Sequence, residues 1–160
     1  MDAKKYLQQA RKLEKMIRNK LIEIAQWKAI ATGTVGQSDG ERVQTSGSQD
    51  KMANAVCMYS DIEKEYNRCL AELRQSKDEI VHTIEQLPAT EYDVLHKVYI
   101  GVVKKDKKGR EYTEYLSLED VAEIYDKTYS WATTVHGRAI KEVQKILDER
   151  KNRLEQIKKL

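Results

Sequence analysis

The chain of 160 residues has no Phe, one Pro, seven Gly and two Cys. So little proline and glycine argues against a turn-rich, sheet-rich enzyme. No stretch of about 20 apolar residues occurs, and the opening run MDAKKYLQQARKLEK has no apolar h-region, so neither membrane insertion nor export is expected. A cytoplasmic protein is the expectation. Cys57 and Cys69 form no C-x-x-C, and His82, His96 and His136 are scattered, so no zinc spacing exists. Two reduced, packed thiols are expected, and no cofactor. Phosphate loops, dinucleotide fingerprints, H-E-x-x-H and G-x-S-x-G are all missing, which argues against catalysis.

The chain does have charge: 29 Lys and Arg against 26 Asp and Glu, net +3. That total is too small for a uniformly basic coat, so any nucleic-acid contact must come from local clusters. Residues 1–31 carry eight basic and three acidic groups, whereas 51–86 carry five basic and seven acidic. The helix-turn-helix segment described below, 117–147, is nearly neutral, with four basic groups and five acidic.

Apolar residues at Tyr6, Ala10, Leu13, Ile17, Leu21, Ile24, Trp27 and Ala31 recur at steps of three or four, which predicts one amphipathic helix. A polar, glycine-rich run over about 32–50 reads as a flexible loop. From Met52 a second stripe follows through Val56, Tyr59, Ile62, Tyr66, Cys69, Leu73, Ile80, Ile84 and Leu87. The two helices, with opposite net charge, are expected to fold back as a long antiparallel hairpin over 1–86, with Trp27 and Tyr59 in its core.

Leu87-Pro88 breaks the register and opens a second domain, 87–147. ATEYDVLHKVY predicts a helix with Tyr92, Leu95, Val98 and Tyr99 on one side, and YIGVVKKDKKGREYTEYL a short β-ribbon or ordered loop. Ser117 is an N-cap with acids following it. Its helix has the apolar face Leu118, Val121, Ala122 and Tyr125, and ends near Asp126. A last helix opens at Thr128 and runs into a tail, 148–160. Its inward stripe is Ala132, Val135, Ala139 and Val143. The fold expected is therefore all-α.

Helix, three-residue turn and helix, with small Ala122 at the crossing, make a helix-turn-helix plan. The outer face of its second helix holds Tyr129, Ser130, Thr133 and Thr134, candidates for reading base edges in a major groove. Arg138 and Lys141 are candidates for phosphate. Lys104, Lys105, Lys107, Lys108 and Arg110 place five basic groups in seven residues, which reads equally as a wing on the DNA backbone or as a solvated turn. The basic run of the first helix, from Lys4 to Lys28, reads first as its wet side and second as another nucleic-acid surface. Trp131 is expected to pack on the preceding helix rather than stack on DNA. His136 reads at least as well as a partly buried side chain as it does as a DNA contact. The tyrosine pairs 112/115 and 125/129 are expected in the core.

The runs LPATEYDVL (87–95), LSLEDVAEIYDKT (116–128) and ATTVHGRAIKEV (132–143) resemble region 4 of bacterial sigma factors. More broadly, VQTS (43–46), DKMANAV (50–56), YSDIEKEY (59–66) and VHGRA (135–139) are similar to a prophage protein family of Gram-positive bacteria, itself similar to the ArpU and RinA type of phage late-gene transcription regulators. The resemblance implies double-stranded DNA binding at a promoter, with RNA polymerase as a further partner. It maps base reading onto Tyr129, Ser130, Thr133 and Thr134, where sigma region 4 carries charged or amide side chains. Hydroxyls discriminate bases less than a bidentate Arg or Gln, which contributes about 1–3 kcal/mol. A homodimer on paired half-sites, or help from polymerase, is the expected remedy, and the hairpin and the tail stripe Leu147, Leu154, Ile157 and Leu160 are the expected assembly surfaces. Asp126 stands where sigma factors usually carry Gly. The alternative is an interaction module that grips polymerase or another protein and touches DNA little.

Overall fold

Pro88 cannot donate a backbone hydrogen bond and separates two helical stretches of the chain. In the computed structural model, which describes residues 2–32 and 47–158, the order is α1 (Ala3–Leu7), α2 (Gln9–Ala31), α3 (Gly47–Ile84), α4 (Ala89–Leu95), a π turn (His96–Ile100), β1 (Val102–Lys105), β2 (Glu111–Glu114), α5 (Leu118–Ile124) and α6 (Tyr129–Ile157). Over the described residues the protein is thus mostly helical with one small antiparallel sheet. The expected flexible loop lies, over residues 33–46, outside the described residues; its last four positions are helical, because α3 starts at Gly47 rather than Met52. The chain divides into two compact units, Lys12–Arg74 and Met1–Arg11 with Gln75–Leu160.

In the unit Lys12–Arg74, Lys20 pairs with Glu65 at 2.6 Å, Lys28 with Glu63 at 3.4 Å, and Lys28 lies 5.3 Å from the Tyr59 ring centre. Rising positions on α2 thus meet falling positions on α3. Both carboxylates are about half exposed, so these pairs contribute little, and burial of Ile17, Ile24, Ala55, Cys69 and Leu73 does more. Three stripe residues depart from expectation: Leu21, Met52 and Val56 are exposed, at 48%, 44% and 44%. A helix turns about 100° per residue, so a seam that admits Ala55 necessarily turns Val56 aside. Trp27 and Tyr59 are half-buried rather than in the core, and of the two free thiols Cys57 is exposed while Cys69 is buried.

The other unit begins with α1, whose N-cap Asp2 accepts from the Lys5 N–H at 2.9 Å. The expected single helix from Tyr6 to Ala31 is interrupted at Gln8. Tertiary contacts explain the break. Ala3, Tyr6, Leu7 and Ala10 are buried, the Tyr6 hydroxyl is 3.0 Å from Thr83 Oγ1, and the Ala3 N–H donates to Gln144 Oε1 of α6 at 2.8 Å. Arg11 stacks 4.5 Å from the Tyr115 ring centre.

After α4 and its π turn, Gly101 adopts φ 88°, where a Cβ would sit 2.5 Å from Thr113 Cγ2 and 2.8 Å from the Glu114 carbonyl oxygen. Only glycine fits that approach. The ribbon pairs Val102 with Glu114 and Lys105 with Glu111, closed by an Asp106–Arg110 turn in which Asp106 accepts from the backbone N–H groups of Lys108 and Arg110. Val94, Leu116, Val121 and Val135 form the core beneath α5 and α6.

Candidate nucleic-acid interface

Ser117 starts α5 with a reciprocal cap: its Oγ accepts from the Asp120 N–H, and the Asp120 carboxylate accepts from the Ser117 N–H at 2.8 Å. The Ser117 N–H, and then the Ser117 hydroxyl donating to the same carboxylate at 2.8 Å, hold the Asp120 carboxyl below its ordinary value. Val121 and Ala122 turn inward and are buried. The helix ends when the Asp126 N–H donates to the Glu123 carbonyl at 3.0 Å and the Lys127 N–H to the Ala122 carbonyl at 2.9 Å. This is the two-bond ending usually completed by glycine at the left-handed position. Here Asp126 takes it, with φ 51°, as one of the few non-glycine residues that tolerate that conformation.

Thr128 caps α6 by accepting from the Trp131 N–H at 3.2 Å. Ala132, Val135, Ala139 and Val143 are all buried. Tyr129, Ser130, Thr133 and Thr134 are all exposed on the other side of the same turns. Thr133 Oγ1 donates to the Tyr129 carbonyl at 3.0 Å and Thr134 Oγ1 to that of Ser130 at 2.8 Å. With their protons committed to those carbonyls, the two hydroxyls keep only acceptor capacity for a further partner.

Around this face, several aromatic residues settle differently from expectation. Trp131 packs on Tyr125, ring centres 5.0 Å apart, as expected. The Tyr125 hydroxyl donates to Asp93 at 2.6 Å, and Lys97 pairs with the same carboxylate. Burial pushes the Asp93 carboxyl up, but the hydrogen bonds from Lys97 and Tyr125 outweigh it and leave it below its ordinary value. His136 stacks on Tyr99 and sits 3.0 Å from its hydroxyl, half-buried; burial, then Lys4, pushes its ring down from the usual imidazole range. Tyr112 and Tyr129, expected in core pairs, are exposed, and Tyr115 and Tyr125 are half-buried. Core space beneath α5 and α6 is filled by the smaller aliphatic residues, which leaves the rings at its rim.

The phosphate candidates divide by their neighbours. Lys104 pairs with Glu114, Lys105 with Glu111 at 3.5 Å and Arg110 with Asp106 at 2.8 Å. Lys104 also borders a cavity shared with Asp120 and Glu123 of α5. Lys107 and Lys108 are exposed at the ribbon tip with no carboxylate partner among the described residues. Lys141 is exposed likewise, while Arg138 meets Glu91 at 3.3 Å. Glu91 and Asp93 are not among the residues expected from the sequence, and Tyr99 is expected only on the apolar side of its helix. The spacing of Asp93 and Lys97, opposite charges four apart on a helix, is the one signal that could have revealed any of them.

No group of three or more metal-binding side chains gathers among the described residues, and none of their helices is long and apolar enough to cross a membrane. No protein-family profile, curated protein or solved structure matches the chain.

Proposed function

We propose that this protein is a DNA-binding transcription regulator of phage or prophage genes, acting in the cytoplasm, in which α5 and α6 serve as a helix-turn-helix of the sigma region 4 kind and α2 with α3 as a helical hairpin. The observation that carries the reading is the division of α6: four buried small residues hold it down while Tyr129, Ser130, Thr133 and Thr134 are all exposed. A helix so mounted suits a major groove.

Acceptor oxygens and methyl groups at Thr133 and Thr134 suit the exocyclic amino group of adenine or cytosine and the methyl of thymine. Such contacts discriminate weakly. Affinity then comes from Lys107, Lys108, Lys141 and Arg138 on phosphates, and specificity from a second copy or from RNA polymerase bound alongside. The test is a salt titration on a fragment from upstream of the protein's own late genes. The expected log–log slope is about −0.9 per phosphate contact, with the fragment outcompeting random DNA in the presence of polymerase. Equal competition by random DNA under both conditions overturns the reading.

A second reading is favoured by the neutralised ribbon: three of its five cations already have carboxylate partners. On that reading the chain is a protein-interaction module that binds polymerase or another partner and touches DNA little. Polymerase capture that is insensitive to removal of DNA would favour it.

A further inference from the structure

Glu91 lies in the first turn of α4, and its side chain is only 10% exposed. Its Oε1 is 3.3 Å from Arg138 Nε, and its Oε2 has no hydrogen-bond partner among the described residues. The Arg138 side chain is 64% exposed. One nitrogen of the guanidinium therefore faces a buried carboxylate while the group as a whole stands in solvent. A carboxylate so buried is costly without its cation, so the pair is held by more than chance contact. An arginine anchored through Nε keeps its two terminal nitrogens as a planar fork, the arrangement that fits a phosphate with two bonds. Lysine has one charged nitrogen and no planar fork, so it cannot hold a carboxylate at one nitrogen and offer a phosphate two parallel donors from two others.

We propose that Glu91 is a positioning residue: it anchors Arg138 through Nε and aims the terminal guanidinium nitrogens at a backbone phosphate of duplex DNA. The proposal rests on the DNA-binding reading above. The contribution is one of orientation, since the carboxylate cancels much of the arginine's charge. Arginine otherwise loses considerable rotamer freedom when it binds, and an anchored side chain has already lost it in the free protein.

The test is a double-mutant cycle on binding to a short labelled duplex of arbitrary sequence, with Glu91→Gln, Arg138→Ala and the pair. Glu91→Gln keeps the shape and removes the charge. Its direct electrostatic effect on DNA operates in both backgrounds, so the cycle cancels it. The expected result is a loss of about three- to tenfold from Glu91→Gln when Arg138 is present, and no loss in Arg138→Ala. Arg138→Lys is expected to lose nearly as much as Arg138→Ala, and it carries the test if Glu91→Gln fails to fold by circular dichroism. Tighter binding by Glu91→Gln only when Arg138 is present means the carboxylate withholds the arginine, and overturns the proposal. Equal effects in both backgrounds, or full affinity in Arg138→Lys, overturn it too. If the wild type shows no salt-dependent affinity for any duplex, the DNA-binding reading falls and this one with it; binding without coupling removes this one alone.

Discussion

The Tyr125 hydroxyl donates to Asp93 Oδ2 at 2.6 Å and thereby ties the end of α5 to α4. The same ring supports Trp131 at the start of α6. One side chain thus links three helices at the turn that sets the direction of α6.

Removing that hydroxyl tests the link. Tyr125→Phe is expected to lower stability by about 1 kcal/mol at neutral pH, a value reduced because the Asp93 side chain is 34% exposed. Burial, and then Asp93, push the Tyr125 phenol up to about 12 from its ordinary 10. A raised folded value means the contribution is complete below pH 10 and is lost as pH rises towards about 12. Urea titrations of both proteins should show the gap between them closing over that window; a gap that is unchanged there would contradict the assignment.

Gly101 carries both a positive φ and a close approach to Thr113 and Glu114. Gly101→Ala is expected to cost about 2 kcal/mol or more and to open the ribbon. Thermal melting would report the first effect, and faster amide exchange at Val102 and Thr113 the second.

Asp126 gives the opposite sign. Its backbone already occupies the left-handed position of a helix ending that glycine favours, so Asp126→Gly should be neutral or stabilise by up to about 1 kcal/mol. Asp126→Val, β-branched at positive φ, should destabilise by more than that amount. A melting comparison in which Val equals Gly would show the turn to be adaptable.

The ribbon cations should not act alike on DNA. Lys107 and Lys108 stand without carboxylate partners among the described residues, whereas Lys104 and Lys105 are paired across the strands. Neutralising Lys107 and Lys108 together should flatten the log–log salt slope by about 1.8, and neutralising Lys104 and Lys105 by clearly less. Slopes left unchanged by both double variants would return the ribbon to a solvated turn.

Elements governed by local chemistry were legible in the chain. Ser117 with Asp120, Thr128 as a cap and the spacing of Ala132, Val135, Ala139 and Val143 mark α5 and α6 in the sequence itself, because caps and periodicity act within a few residues. The Lys/Asp/Gly run between β-branched segments likewise marked the ribbon. What depends on distant partners was not legible. Tyr6 belongs with Thr83 and Ala3 with Gln144, across separations of 77 and 141 residues, so a stripe that reads as one helix breaks at Gln8. The same holds for charge. Composition counts Lys104, Lys105 and Arg138 as open cations, and only folding sets Glu114, Glu111 and Glu91 beside them, whereas Arg110 meets Asp106 within its own turn. Periodicity specifies which side of a helix is apolar, whereas the neighbours brought by folding decide which apolar residues are covered and which charges remain to meet a ligand.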